Sequence, residues 1–218
     1  MTRLESRARL FACGLSALAG FVDAIGFIQS GGFFVSFMSG NSTRLGVGIA
    51  ESAHVALIAG AIIICFLGGV VGGSLLGAQF ERRRPAAVLL AISGMIGLAA
   101  LLEYFGNVGY PIALLACAMG AENAVFERDG EVRIGVTYMT GSLVRVGNGI
   151  AGAILGRGGN GWGGYLLLWL GFVGGVVLGA LSFGSGNSAT LWAASGTALV
   201  LAAASPKLLE AGERTAAA

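Results

Sequence analysis

Two carboxylates stand inside apolar runs, Asp23 in AGFVDAIGF and Glu122 in MGAENAVF. Ionisable side chains at membrane depth are costly, face the protein interior, and mark pathways for solutes or protons. Each is followed by a Gly-rich segment that carries one arginine: Arg44 in FMSGNSTRLGVGIA and Arg145 in YMTGSLVRVGNGIA. Such a set allows two kinds of chemistry. Each carboxylate can pair with its arginine, Asp23 with Arg44 and Glu122 with Arg145, pinning the segment to a neighbouring helix. Alternatively, the arginines and the first turns of two short helices, which carry partial positive charge and free N–H groups, can receive an anionic solute, with Asp23 as counter-charge or proton acceptor. Asn41 and Asn123 add neutral hydrogen-bonding groups, and Phe33, Phe34, Phe37 and Tyr138 are candidate walls. The candidate site thus comprises Asp23, Ser39, Gly40, Asn41, Arg44, Glu122, Asn123, Thr140, Gly141 and Arg145.

The elements that must hold these residues are set by composition. Of 218 residues, 56% are hydrophobic and 11% charged, with mean hydropathy +0.83; ordinary soluble domains carry about 25% charged residues. The chain is expected to be an all-α, polytopic membrane protein forming a single membrane domain. Six runs approach or exceed the roughly 20 residues that cross a bilayer: 10–28, 55–79, 86–104, 109–126, 164–183 and 188–205. Pro85 and Pro111 sit at span starts, where a missing N–H costs little, and Pro206 is expected just beyond the last span. The N-terminal arginines followed by Ala17-Leu18-Ala19 mimic a secretory signal, but the apolar run continues to Ile28.

With the N-terminus inside, twelve of the thirteen basic residues fall on the cytoplasmic side, among them Arg3, Arg82 to Arg84, Arg128 and Arg133, and Arg44 alone falls outside. Cytoplasmic enrichment in Lys and Arg is the expected bias of an inner-membrane protein. Counting the Gly-rich segments as crossings gives eight spans and largely abolishes that bias, so six spans with both termini cytoplasmic is the better count.

The chain is also written twice. At an offset of 101, residues 36–50 and 137–151 share seven identities in fifteen; at 102, GGSLLGA from Gly72 matches GGVVLGA from Gly174 and Ser93-Gly94 matches Ser195-Gly196; at 100, Gly20, Asp23 and Ala24 face Gly120, Asn123 and Ala124. Repeat one covers about 10–104 and repeat two about 109–205. Because each holds three spans, an odd number, the halves are expected to be inverted in the membrane, as in many secondary transporters. Each Gly-rich segment is expected to be re-entrant or a half-helix, turning at Ser39-Gly40 and Thr140-Gly141 with Ser39 and Asn41 as candidate N-caps. The alternative is an amphipathic helix resting at the headgroups with its arginine snorkelling. Small-xxx-small spacings, Gly68/Gly72, Gly69/Gly73 and Gly73/Gly77 in the second span and Gly171/Gly175 and Gly175/Gly179 in the fifth, make these two spans the expected central pair, or else a homodimer face.

Enzymatic readings find no support. His54 is the single histidine and stands at a span edge, no Cys/His cluster or phosphate-binding loop is present, and Cys13, Cys65 and Cys117 lie within spans as small core residues. Neither cofactor, metal nor nucleic acid is expected. Taken together, AGFVDAIGFI, GGFFVSFMSGNSTRLGVGIA, GAENAVF and VRIGVTYMTGSLVRVG resemble the YoaK family of bacterial inner-membrane proteins, defined by a domain of unknown function. The resemblance spans nearly the whole chain and implies a six-span membrane protein without an assigned activity. It further implies an uncharged amide where Glu122 stands, whereas Asp23, Asn123, Arg44 and Arg145 fit the pattern. The function expected is a transporter or channel for a small, anionic solute bound between the Gly-rich segments; the competing class is a non-transporting membrane scaffold or stress-related structural protein.

Overall fold

Long apolar runs satisfy their backbone polar groups internally by coiling, and eight α-helices result among the described residues of the computed structural model. They are α1 (Ser6–Gln29), α2 (Met38–Glu51), α3 (Ala53–Gln79), α4 (Arg84–Tyr104), α5 (Gly109–Glu122), α6 (Met139–Ile154), α7 (Trp162–Phe183) and α8 (Asn187–Ala216). The structure describes residues 6–107, 109–128, 131–132, 135–157, 161–184 and 187–216; Arg3 and Arg133 lie outside them. Among the described residues six helical segments are long and apolar enough to cross a membrane: 7–29, 53–79, 81–104, 109–126, 162–183 and 189–208. They coincide with the expected spans to within a few residues. A 3-10 turn, Glu81–Arg83, precedes α4; another, Asn123–Phe126, extends α5, and a two-residue antiparallel pair, Glu127–Arg128 with Glu131–Val132, follows it.

Pro206 departs from expectation, lying inside α8 rather than beyond its end. A helical proline leaves the carbonyl four residues earlier without its donor. That carbonyl is Ala202, and the Ser205 hydroxyl donates to it at 2.8 Å, so the helix continues.

The core lies among α1, α4, α5 and α8, whose facing side chains include Phe11, Leu15, Ile25, Leu89, Ile92, Ile96, Leu115, Met119 and Leu191. α3 and α7 flank this core. Their glycines do not serve one central pair, as the spacing suggested; each receives a different neighbour. A Cβ at Gly69 would overlap the Cys117 carbonyl of α5, and one at Gly73 would meet Ala121. A Cβ at Gly175 would overlap the Ala17 carbonyl of α1, and one at Gly179 would meet Phe21. In return Gly20 of α1 receives the Phe172 carbonyl of α7, and Gly120 of α5 receives the Phe66 carbonyl of α3. These contacts equate Gly69 with Gly175 and Gly73 with Gly179, one helical turn away from the match read between GGSLLGA and GGVVLGA. Gly68, Gly72 and Gly174 face open space.

α4 and α8 run antiparallel and meet at two serines. Ser93 Oγ donates to the Ser195 carbonyl at 2.9 Å and Ser195 Oγ donates to the Ser93 carbonyl at 2.8 Å. Each hydroxyl thus repeats the other's bond.

Candidate functional site

After α1 the chain reverses at Gly31 and Gly32, with φ of 71° and 111°, values that a side chain would strain. The Ser30 hydroxyl closes the turn, accepting from the Phe33 N–H and lying 2.9 Å from the Phe33 carbonyl. The extended stretch that follows returns along α1. A Cβ at Gly26 would approach Val35 Cγ1 to 2.6 Å, so glycine is what leaves room for the Val35 side chain against α1. At that level Asp23, only 5% exposed, accepts from the N–H groups of Val35 and Ser36 at 2.8 and 2.7 Å through Oδ1. Six residues separate Asp23 from the helix end at Gln29, so the segment runs back roughly 9 Å at 1.5 Å per residue.

α2 then starts at Met38 with Phe37 in the cap position and no side-chain cap bond, which corrects the expected capping by Ser39 or Asn41. Asn41 is buried in the first turn and is engaged elsewhere. Its Oδ1 accepts from the Phe34 N–H at 3.0 Å and its Nδ2 donates to the Phe34 carbonyl at 2.6 Å. Ser39 is exposed, and its carbonyl accepts from the Thr43 hydroxyl at 3.2 Å. Gly40 packs beneath the rings of Phe34 and Phe37. Asp23 and Arg44 do not pair: the guanidinium carbon of Arg44 stands 5.1 Å above the Phe33 ring, a cation–π contact. Two backbone N–H groups have taken the place assigned to the arginine.

The second segment repeats this plan with different chemistry. Asn123, buried at the start of the 3-10 turn, accepts from the Thr137 hydroxyl at 3.0 Å, while its Nδ2 donates back to the carbonyls of Met119 and Gly120 at 3.2 and 3.3 Å. Ser16 on α1 lies within donating distance of the Val136 carbonyl, 3.1 Å, and the Leu168 carbonyl, 3.0 Å, tying this segment to α1 and α7. Thr140 and Gly141 are exposed in the first turn of α6, whose cap position is Tyr138; the helix again starts ahead of the expected turn. Arg145 is exposed, donates to the Tyr165 hydroxyl at 3.1 Å and sits 4.9 Å above that ring. It makes no pair with Glu122. Glu122 is 0% exposed on the α5 face that carries Leu115, Ala118 and Met119, and neither carboxyl oxygen has a hydrogen-bond partner.

The ten expected residues therefore form two groups, each local to its own segment, and no hydrogen bond or ion pair among the described residues joins them. Ser16, Thr137 and Tyr165 were missed; lone hydroxyls within apolar runs carry no periodic signal, and only the tyrosine beside a predicted span end gave any hint. Two cavities are described, of about 540 and 340 Å³. Neither is lined by any of the ten residues. Among the described residues no three of His, Cys, Asp and Glu gather in metal-binding geometry.

Residues 11–204 match the family model described as "Protein of unknown function (DUF1275)". The chain belongs to this family. Its relatives include the UPF0700 transmembrane protein RA0705 of Rhizobium meliloti (strain 1021), 36% identical over 203 residues, covering 93% of this chain and 88% of that protein. They also include the UPF0700 transmembrane protein YoaK of Bacillus subtilis (strain 168), 29% identical over 148 residues, 64% of this chain and 66% of that protein. No solved structure matches the chain significantly. With transmembrane relatives and six spanning-capable helices, this DUF1275 member is a multi-pass integral membrane protein.

Proposed function

We propose that the chain is an inner-membrane transporter of a small, anionic solute, built from two inverted three-span halves with both termini cytoplasmic, and that Glu122 is its proton-carrying group. The observation that carries this reading is the Glu122 carboxyl, wholly buried with both oxygens unpartnered. Burying an unsatisfied polar group costs stability, and no structural contact offsets it here; intramembrane carboxyls of this kind serve ion and proton pathways. Inversion is supported by the reciprocal Ser93–Ser195 bonds and by the matching glycine contacts of α1 with α7 and α5 with α3. The return of residues 33–37 along α1 supports a re-entrant reading of the first segment. An anionic solute suits Arg44 and Arg145, which rest on aromatic rings with no carboxylate neutralising them in any described ion pair.

A second reading, a non-transporting scaffold, is favoured by one specific observation. Asp23, Asn41 and Asn123 are fully engaged in tying the Gly-rich segments down, and neither described cavity reaches them. Proteoliposomes loaded with a pH-sensitive dye separate the readings. A panel of small carboxylates and inorganic phosphate should drive internal acidification with the wild type, and Glu122→Gln should abolish it while keeping or raising thermal stability. A scaffold gives no solute-dependent signal with either protein.

A further inference from the structure

At one end of the α4–α8 pair lies the larger cavity, about 540 Å³, lined by Arg82, Arg83, Pro85, Ala86 and Leu90 from the α4 side and by Leu199, Ala202, Ala203, Ser205 and Pro206 from α8. From this cavity we infer a binding site for one anionic phospholipid, with its headgroup phosphate held by Arg82 and Arg83 and an acyl chain in the groove between Leu90 and Leu199. The three consecutive arginines are divided by their contacts. Arg84 turns inward to Glu127, 3.3 Å away, and Glu127 is itself held by the Ser74 hydroxyl. Arg82 and Arg83 remain exposed on the cavity rim. Neither Lys207, exposed on α8 after Pro206, nor Glu81, on the same 3-10 turn as the arginines, is part of the wall.

The walls select a lipid over a free anion. Below the arginines the lining is Pro, Ala and Leu, and Leu90 and Leu199 are 53% and 50% exposed on helices that face the bilayer. A ligand there needs a charged head at the interface and an apolar tail in the hydrocarbon. The Ala202 carbonyl that Pro206 leaves free is taken by Ser205, so it does not stand as a bare acceptor against a phosphate. Basic pockets between helices at a membrane face are the setting in which anionic headgroups bind. The groove is not a general by-product of the α4–α8 crossing. Toward the other end of the same pair the Trp192 ring stands against Gly97, occupying the space between the helices, and the start of α8 carries no basic residue, reading Asn187-Ser188-Ala189-Thr190.

The test uses the full chain in mild detergent, titrated with phosphatidylglycerol, phosphatidylcholine or inorganic phosphate, and read by native mass spectrometry and thermal unfolding. Phosphatidylglycerol should be retained and should raise the unfolding temperature; phosphatidylcholine should do neither. The R82Q/R83Q double variant should lose affinity by roughly thirtyfold, as expected for two interfacial charges. Leu90→Trp should lower retention with both arginines in place, and R157Q, outside the cavity lining, should match the wild type. The site is overturned if phosphatidylcholine binds equally well, if R82Q/R83Q binds phosphatidylglycerol like the wild type, or if inorganic phosphate stabilises as strongly as the lipid.

Discussion

The two Gly-rich segments are fastened at the same place by different acceptors. In the first, the Asp23 carboxylate receives two backbone N–H groups; in the second, the Asn123 carbonyl receives one side-chain hydroxyl, that of Thr137. The fastening therefore requires an acceptor and not a charge. The second half does contain a carboxyl, but one residue earlier, at Glu122, where the first half has Val22; both positions are fully buried. Glu122 is thus not a displaced latch. It occupies a core position that valine fills without difficulty elsewhere in the same molecule.

The largest expected effect comes from copying the second half into the first. Val22→Glu should destabilise by about 4 kcal/mol, since it buries an unpaired carboxyl in an apolar contact; thermal unfolding in detergent measures it. A negligible loss would mean that this core tolerates carboxyls anywhere and would remove the distinction drawn for Glu122. Next, Asp23→Ala leaves two buried N–H groups without an acceptor and should cost about 3 kcal/mol, whereas Asp23→Asn, which reproduces the second half's choice, should cost about 1 kcal/mol. Equal losses for Ala and Asn would show that the charge matters after all.

Smaller effects sharpen the equivalence of the flanking helices. Gly69→Ala and Gly175→Ala should each cost about 2 kcal/mol and by similar amounts, because both press a methyl into a neighbouring carbonyl; Gly174→Ala, facing open space, is the control. Unequal losses would argue against pairing these two glycines. Least of all, Arg44→Ala should cost about 1 kcal/mol, the value of a half-buried cation–π contact. A double-mutant cycle of Asp23 with Arg44 should show coupling near zero, and coupling above about 1 kcal/mol would reinstate the ion pair.

The spans were legible because apolar length is a strong signal: α4 and α7 start two residues from their expected positions and end where expected. The sequence match between GGSLLGA and GGVVLGA pointed to the right helices but to the wrong register. Runs such as GGVVGGS place glycine on two adjacent faces, so composition does not choose the face that meets a neighbour. The ion pairs failed for another reason. Asp23 lies close to its own Gly-rich segment, as expected, but a returning backbone brings two N–H donors to the carboxylate, and a side-chain partner is no longer needed. Glu122 was legible as an ionisable group in an apolar run; its isolation was not, since sequence gives no measure of what surrounds a side chain. Pro206 was misjudged because the compensating hydroxyl, Ser205, looks like any other serine.

The glycine seams have a mechanical consequence. Where α1 meets α7 and α3 meets α5, backbone lies directly on backbone, with Gly20, Gly120 and Gly175 each receiving a carbonyl. At these contacts no side-chain layer is left to shear, so sliding by a fraction of a turn drives main-chain atoms together. Each pair acts as one stiff plank. Compliance is left to the side-chain-filled surfaces around α4 and α8, whose serine bonds can break and re-form one at a time, so any large rearrangement of this molecule must move two planks about that central hinge.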